Sequence, residues 1–182
     1  RFMMPFYLQR VLEYSPRDVG LIMIPPALCM VIVSPLSGRL SDRYGWRGLT
    51  ATGLVFSAVA SFIMATQLRP DSSVALVIGA LMLQGAASGL FHSPNSSSIL
   101  SAVEPSRYGV ISALTQLMRN SANVTSVALA TTIVVVTMGS LGVEPSLDVV
   151  SPEVADAFVT GLHRAFYLMG GLLVLGVVIC LM

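Results

Sequence analysis

The amino-acid sequence predicts an all-α membrane protein, and three observations carry that prediction. Hydrophobic residues make up 54% of the chain and charged residues 10%, where a soluble domain averages roughly 25% charged; so few charges cannot build a water-facing surface. The apolar residues gather into runs long enough to cross a bilayer core of about 30 Å, which takes about 20 helical residues. The runs lack the ten-residue alternation of a membrane β-barrel, and backbone groups in hydrocarbon must pair within their own segment, which selects helices.

Taken in order, the runs define one short segment and five spans. The first, Phe2 to Leu12, is too short to span and lacks a signal peptide's cleavage region, so it reads as the tail of a helix. The second covers Val19 to Leu36, the third Leu49 to Leu68, the fourth Val74 to Val103, the fifth Tyr108 to Met138 and the sixth Gly161 to Met182. Proline removes a backbone donor and kinks a helix, so Pro25, Pro26 and Pro35 interrupt the second run and Pro94 the fourth. Gly85-Ala-Ala-Ser-Gly89 is a small-xxx-small pattern, read as close helix packing with a bend used in motion as the alternative. A chain that opens at Arg1 and closes at Met182 inside an apolar run is expected to be a fragment of a longer membrane protein.

The charges orient the bundle. The chain has no Lys, and three of its ten arginines, Arg39, Arg43 and Arg47, sit with Asp42 in the turn Gly38-Arg-Leu-Ser-Asp-Arg-Tyr-Gly-Trp-Arg47 between the second and third runs. The long connection from Gly139 to Thr160 carries Glu144, Asp148, Glu153 and Asp156 and no arginine. Excess positive charge marks the cytoplasmic side, which places the arginine turn inside and the acidic connection outside. The net charge of +1 says nothing about nucleic acid, no basic patch is present, and no nucleic-acid partner is expected. Cys29 and Cys180 lie in apolar runs and read as small buried hydrophobes, with no disulfide or metal spacing. No cofactor motif is present.

Three polar groupings stand out. In the turn, Gly38 ends the second helix and lets the third pack close, Gly45 permits a reversal through positive φ, and Asp42 caps a nearby helix N-terminus or pairs with Arg39 or Arg43; a plain charged anchor is the alternative. On the fifth run Ser112, Gln116, Arg119, Asn120 and Asn123 share a face at steps of three and four. Arg119 sits about 17 Å above Tyr108, near mid-bilayer, where an arginine facing lipid costs at least about 2.5–3.5 kcal/mol. That stripe therefore faces protein or a wet cavity, and two readings stand: cavity lining with Arg119 positioning a carboxylate or substrate, or a structural tie to helix carbonyls or to an acid in the part of the protein missing from this chain. On the fourth run Gln84, Ser88, His92 and Asn95 form the third grouping. Ser88 and His92 lie four apart, but a serine hydrolase needs a nucleophile motif and an oxyanion hole, and Gly-Ala-Ala-Ser-Gly is not one. His92 is a packed histidine or a proton-responsive cavity residue. His163 and Arg164 begin the sixth run as interface anchors. Asn95-Ser-Ser and Asn123-Val-Thr fit glycosylation spacing but lie within spans.

The turn's Gly38, Asp42, Arg43, Gly45 and Arg47 resemble the cytoplasmic loop motif of the major facilitator superfamily, with Trp46 where a basic residue is common. In that family the motif joins the second and third helices of a six-helix half, as here. Pro5-Phe-Tyr-Leu-Gln9, Gly20 with Pro25-Pro26, Ser34-Pro35-x-x-Gly38, and Arg119 followed by Ala122 and Ser126 resemble the fourteen-helix drug:proton antiporter branch. The resemblance covers essentially the whole chain. It implies the C-terminal six-helix half of a transporter, its first helix truncated, in a bacterial inner membrane, rocking against a missing N-terminal half of the same chain. It implies small amphiphilic drugs or antibiotics as substrates, exported in exchange for protons, with Gln116, Arg119, Asn120, Asn123, Gln84 and His92 as cavity-lining candidates. No acid lies inside any span, so the proton-coupling carboxylate is expected outside this chain. A metabolite, lipid or siderophore carrier, or a non-transporting scaffold, is the rival.

Overall fold

The structure, a computed structural model, describes residues 3–69, 72–142 and 152–182. Six α-helices and two short irregular turns follow one another: α1 (Met3–Phe6), a π-helical turn (Tyr7–Val11), α2 (Pro16–Tyr44), α3 (Trp46–Gln67), α4 (Val74–Ser101), a 3-10 turn (Pro105–Arg107), α5 (Tyr108–Ser140) and α6 (Pro152–Leu181). No strand occurs among the described residues. Five of these segments are long and apolar enough to cross a membrane.

Boundaries differ from expectation where the backbone has local reasons to go on. The first segment is not one α-helix: after α1 the chain widens into the π-turn, with Leu12 N–H bonded to the Tyr7 carbonyl at 3.1 Å, and Glu13 then turns out at φ 57°. Met4, Tyr7 and Leu8 are wholly buried there. Helix α2 starts earlier than expected because Ser15 caps it, its Oγ accepting from Asp18 N–H at 3.2 Å and donating to the Asp18 carboxylate at 2.7 Å. It also runs on past Gly38 to Tyr44. Helix α6 starts at Pro152, so both ends of the expected acidic connection are helical: Gly139 and Ser140 belong to α5, and Asp156 belongs to α6. Glu144 and Asp148 lie outside the described residues.

The spatial order is α2–α4–α3–α6–α5, with α4 and α5 barely touching. Helix α3 sits in the middle and buries small residues: Ala51, Gly53, Ser57, Ala58, Ala60, Ser61 and Ala65. Without a hydrophobic drive between helices in lipid, close approach of small residues supplies the packing energy. The Gly85–Gly89 pattern does this against α2: a Cβ on Gly85 would collide with the Pro26 carbonyl, and one on Gly89 would lie 3.1 Å from the Met30 carbonyl oxygen. Leucine, isoleucine and valine on the outer faces of α2, α5 and α6, such as Val31, Val110 and Ile179, are exposed as a lipid-facing surface requires.

The prolines do not break their helices. Pro94 has no N–H to give the Leu90 carbonyl, and Ser37 Oγ donates to that carbonyl from α2 at 3.1 Å. At the two ends of the bundle polar groups fix neighbours. His163 Nε2 meets the Leu68 carbonyl at 2.6 Å and Tyr7 Oη donates to the Arg69 carbonyl at 2.5 Å, closing the C-terminus of α3. Cys180 Sγ approaches the Arg47 carbonyl at 3.9 Å at the other end. His163 to Cys180 spans about 26 Å of helix and Arg47 to Leu68 about 32 Å, close to the bilayer core thickness. His163 thus lies well inside α6 rather than at its start, and Arg164 Nη1 reaches Thr137 Oγ1 on α5 at 3.4 Å.

Gly85→Val in the full-length protein should force α2 from α4 and abolish the monodisperse peak in detergent size exclusion, whereas Gly79→Val, where a Cβ meets open space, should leave it intact. Ser37→Ala should lower stability in a reversible unfolding titration by about 0.6–1.7 kcal/mol, the measured scale of hydrogen bonds between membrane helices.

Candidate functional site

The arginine turn is built from one backbone break. Gly45 takes φ 89° and ψ 154°, and this single residue ends α2 and starts α3. Its N–H closes α2 on the Ser41 carbonyl at 2.9 Å. A side chain at such a φ is strained, which is why glycine stands there. Gly38, expected to admit α3, instead admits α4: a Cβ there would lie 2.9 Å from Ser93 Oγ. Because α2 continues helically to Tyr44, Asp42 and Arg43 project from its last turn, exposed. Asp42 pairs with neither Arg39 nor Arg43 and caps no helix among the described residues. Each of two arginines instead lies over its neighbouring ring, Arg43 5.9 Å from the Tyr44 centroid and Arg47 5.5 Å from Trp46. Trp46, the departure from the motif, therefore gives Arg47 an aromatic face.

The second feature is the seam between α4 and α5. Gln84, Ser88, His92 and Ser96 follow one another on α4 at steps of four, one above the other on a single face. Ser112, Gln116, Arg119, Asn123 and Ser126 face them from α5. Because the two helices hardly touch, the seam opens into two cavities set end to end. The larger, about 410 Å³, has Ser61, Gln84, Ser88, His92, Asn123 and Ser126 as its polar wall and Met64 and Phe166 among its apolar residues. A volume of roughly 300–1,000 Å³ suits a drug-sized ligand. The smaller, about 180 Å³, lies toward the arginine turn and is lined by Ser96, Ile99, Leu100, Ser112, Thr115, Gln116 and Arg119.

Hydrogen bonds shape the walls. Gln84 Nε2 donates to Ser57 Oγ on α3 at 2.8 Å, and Ser61 Oγ donates to the Ser57 carbonyl at 2.9 Å, so Gln84 is held by its neighbour helix. Ser88 Oγ donates to the Gln84 carbonyl one turn back at 2.9 Å, a bond that a helical serine commonly makes. The His92 ring packs edge-on to Phe91, centroids 5.5 Å apart. Arg119 is half-buried, and its Nη2 donates to Ser96 Oγ at 2.7 Å. That bond is a tie between α4 and α5, made to a hydroxyl where a helix carbonyl was one expectation; an acid in the missing half, the other, lies outside this chain. Gln116 Nε2 donates to Asn120 Oδ1 at 3.2 Å, so Asn120 meets the stripe from beside it and lines neither cavity.

The sequence thus named most of the seam but placed its α4 edge one residue off. Asn95 was singled out where Ser96 makes the contact; the step of four from Gln84 through His92 was the signal that finds it. Ser57 and Ser61, polar residues on the central helix, carried no such signal, because a buried serine on a small-residue face reads as packing. Asn95 and Asn123 both lie within helices. Cys29 and Cys180 are free thiols, and no cluster of metal-ligating side chains occurs among the described residues.

Comparison with known proteins agrees with this architecture. The family model described as Major Facilitator Superfamily matches residues 1–182. The riboflavin transporter RibZ of Clostridioides difficile is 35% identical over 119 residues, covering 65% of this chain and 26% of that protein. The multidrug export protein EmrB of Escherichia coli is 27% identical over 130 residues, 71% of this chain and 25% of that protein. The lincomycin resistance protein LmrB of Listeria monocytogenes is 25% identical over 170 residues, 90% of this chain and 36% of that protein. The chain therefore spans between a quarter and about a third of the length of these relatives. Its five membrane-length helices and the family match over every residue make it a multi-pass protein of the cell membrane and a member of the major facilitator superfamily, a family of transporters rather than enzymes.

Proposed function

We propose that this chain is the C-terminal six-helix half of a proton-coupled exporter of amphiphilic compounds, working by alternating access against an N-terminal half. The observation that carries the proposal is the polar seam between α4 and α5, with its 410 Å³ cavity inside a bundle whose outer faces are apolar. A polar cavity at membrane depth is costly unless it holds water or solute, and its mixed wall of amide, hydroxyl, imidazole, methionine and phenyl groups suits a molecule with polar and apolar parts. Positive-inside bias assigns the arginine turn to the cytoplasm, so the smaller cavity lies nearer that side. Similarity to a multidrug export protein and a lincomycin resistance protein supports export of drug-like compounds. In this reading the proton-coupling acid belongs to the other half, since the membrane-depth stretches of the described helices carry no carboxylate.

A second reading is a carrier for a flavin or a similar metabolite, favoured by the 35% identity to a riboflavin transporter. Both readings keep the same cavity and differ in which solute drives flux.

The full-length protein, reconstituted into liposomes with an internal pH dye, should release a proton pulse when a transported amphiphile is added. Lincomycin and riboflavin as paired probes separate the two readings, and no proton movement with either, beside active flux of an unrelated solute, would refute both. Gly45→Ala should cost about 1–3 kcal/mol of backbone strain at the α2–α3 reversal and lower the transport rate at unchanged substrate affinity, checked by initial rates against substrate concentration.

A further inference from the structure

We propose that the smaller α4–α5 cavity is a binding site for a single anionic oxygen group, a carboxylate or phosphate, borne by an amphiphilic substrate and held by Arg119. The inference rests on the transport reading and names the substrate chemistry of the same seam.

Arg119 is the one charged side chain among the residues lining that cavity. Its guanidinium has five donors, of which the structure commits Nη2 to Ser96 Oγ at 2.7 Å. No carboxylate among the described residues pairs with it, and its remaining donors have no partner there. Helical side chains point toward their own N-terminus, so the guanidinium lies below its Cα, nearer the arginine turn. A guanidinium with one edge anchored and another open offers two parallel N–H groups to a carboxylate or phosphate.

The rest of the lining fits an anion with an apolar continuation. Ser112, Thr115 and Gln116 surround the cation with neutral polar groups, and Ile99 and Leu100 form the opposite wall. About 180 Å³ is too small for a drug-sized molecule but large enough for a head group. The 410 Å³ cavity continues along the seam, one helical turn beyond Ser96 and Arg119, and receives the body. Ser96 acts as a positioning residue, holding the guanidinium edge toward the opening.

The test uses the full-length protein in phosphatidylcholine nanodiscs and a matched probe pair, dansyl-undecanoic acid and its methyl ester, titrated by dansyl fluorescence. The wild type should bind the acid at least about tenfold more tightly than the ester. Arg119→Gln should erase that preference while ester affinity stays within about twofold, and Arg119→Lys should restore part of it. Ser96→Ala should weaken the acid alone, by a few-fold. Equal wild-type binding of acid and ester, no binding of the acid, or parallel loss of both probes in Arg119→Gln overturns the proposal, the last by making Arg119 a purely structural tie. Loss of acid binding when phosphatidylglycerol is added to the discs assigns the site to a lipid head group and overturns it as well. Proton flux with a neutral amphiphile, measured on the same protein in liposomes with an internal pH dye, reads the transport proposal separately: flux without acid preference sinks only the anion site.

Discussion

Every helix here answers to one constraint: in hydrocarbon a backbone carbonyl or N–H must find its partner inside the protein. Pro94 shows how the bundle depends on it. The proline deprives the Leu90 carbonyl of its helical donor, and Ser37 supplies a hydroxyl from α2. That one bond needs α2 and α4 in contact, which in turn needs glycine at 85 and 89. The C-terminus of α3 is handled likewise, by His163 from α6 and Tyr7 from the π-turn. Satisfying carbonyls therefore sets which helices touch, and the helices that touch leave the α4–α5 seam as the open one.

An open seam in a membrane protein must be filled by something polar, and this one is lined accordingly. Gln84 and Ser57 brace its α3 side, while Arg119 and Ser96 tie its two edges. A cation half-buried at this depth is tolerable because a hydroxyl and a cavity share its solvation. The same arrangement that meets the folding requirement leaves guanidinium donors directed into space, so structural tie and ligand contact are two uses of one side chain.

Several features were legible in the residues. Composition and run length gave the class and the five spans, because hydrophobic thickness is a fixed length and helix rise is a fixed increment. Gly45 was recognisable as the reversal, because only glycine accepts its φ. The polar stripe on α5 was readable from steps of three and four. Helix ends were less so: α6 begins nine residues before the expected Gly161, since Asp156 reads as loop in a hydropathy sense yet sits favourably in an early helical turn. Gly38 was assigned to the wrong neighbour for the same kind of reason, as a glycine announces close approach without saying what approaches.

The sequence by itself determined that this is a bundle of membrane-spanning helices, where the chain reverses between α2 and α3, and which face of α5 is polar; those are local properties, fixed by side-chain chemistry and helical period. The tertiary structure alone decided that α4 and α5 part while α2 closes on α4, that within this chain the Ser96 hydroxyl receives Arg119, and that Ser37 completes the helix Pro94 interrupts. Those outcomes join residues 23 and 53 positions apart. They depend on which pairs of small-residue faces can approach at once, a global packing condition that no single run of sequence contains.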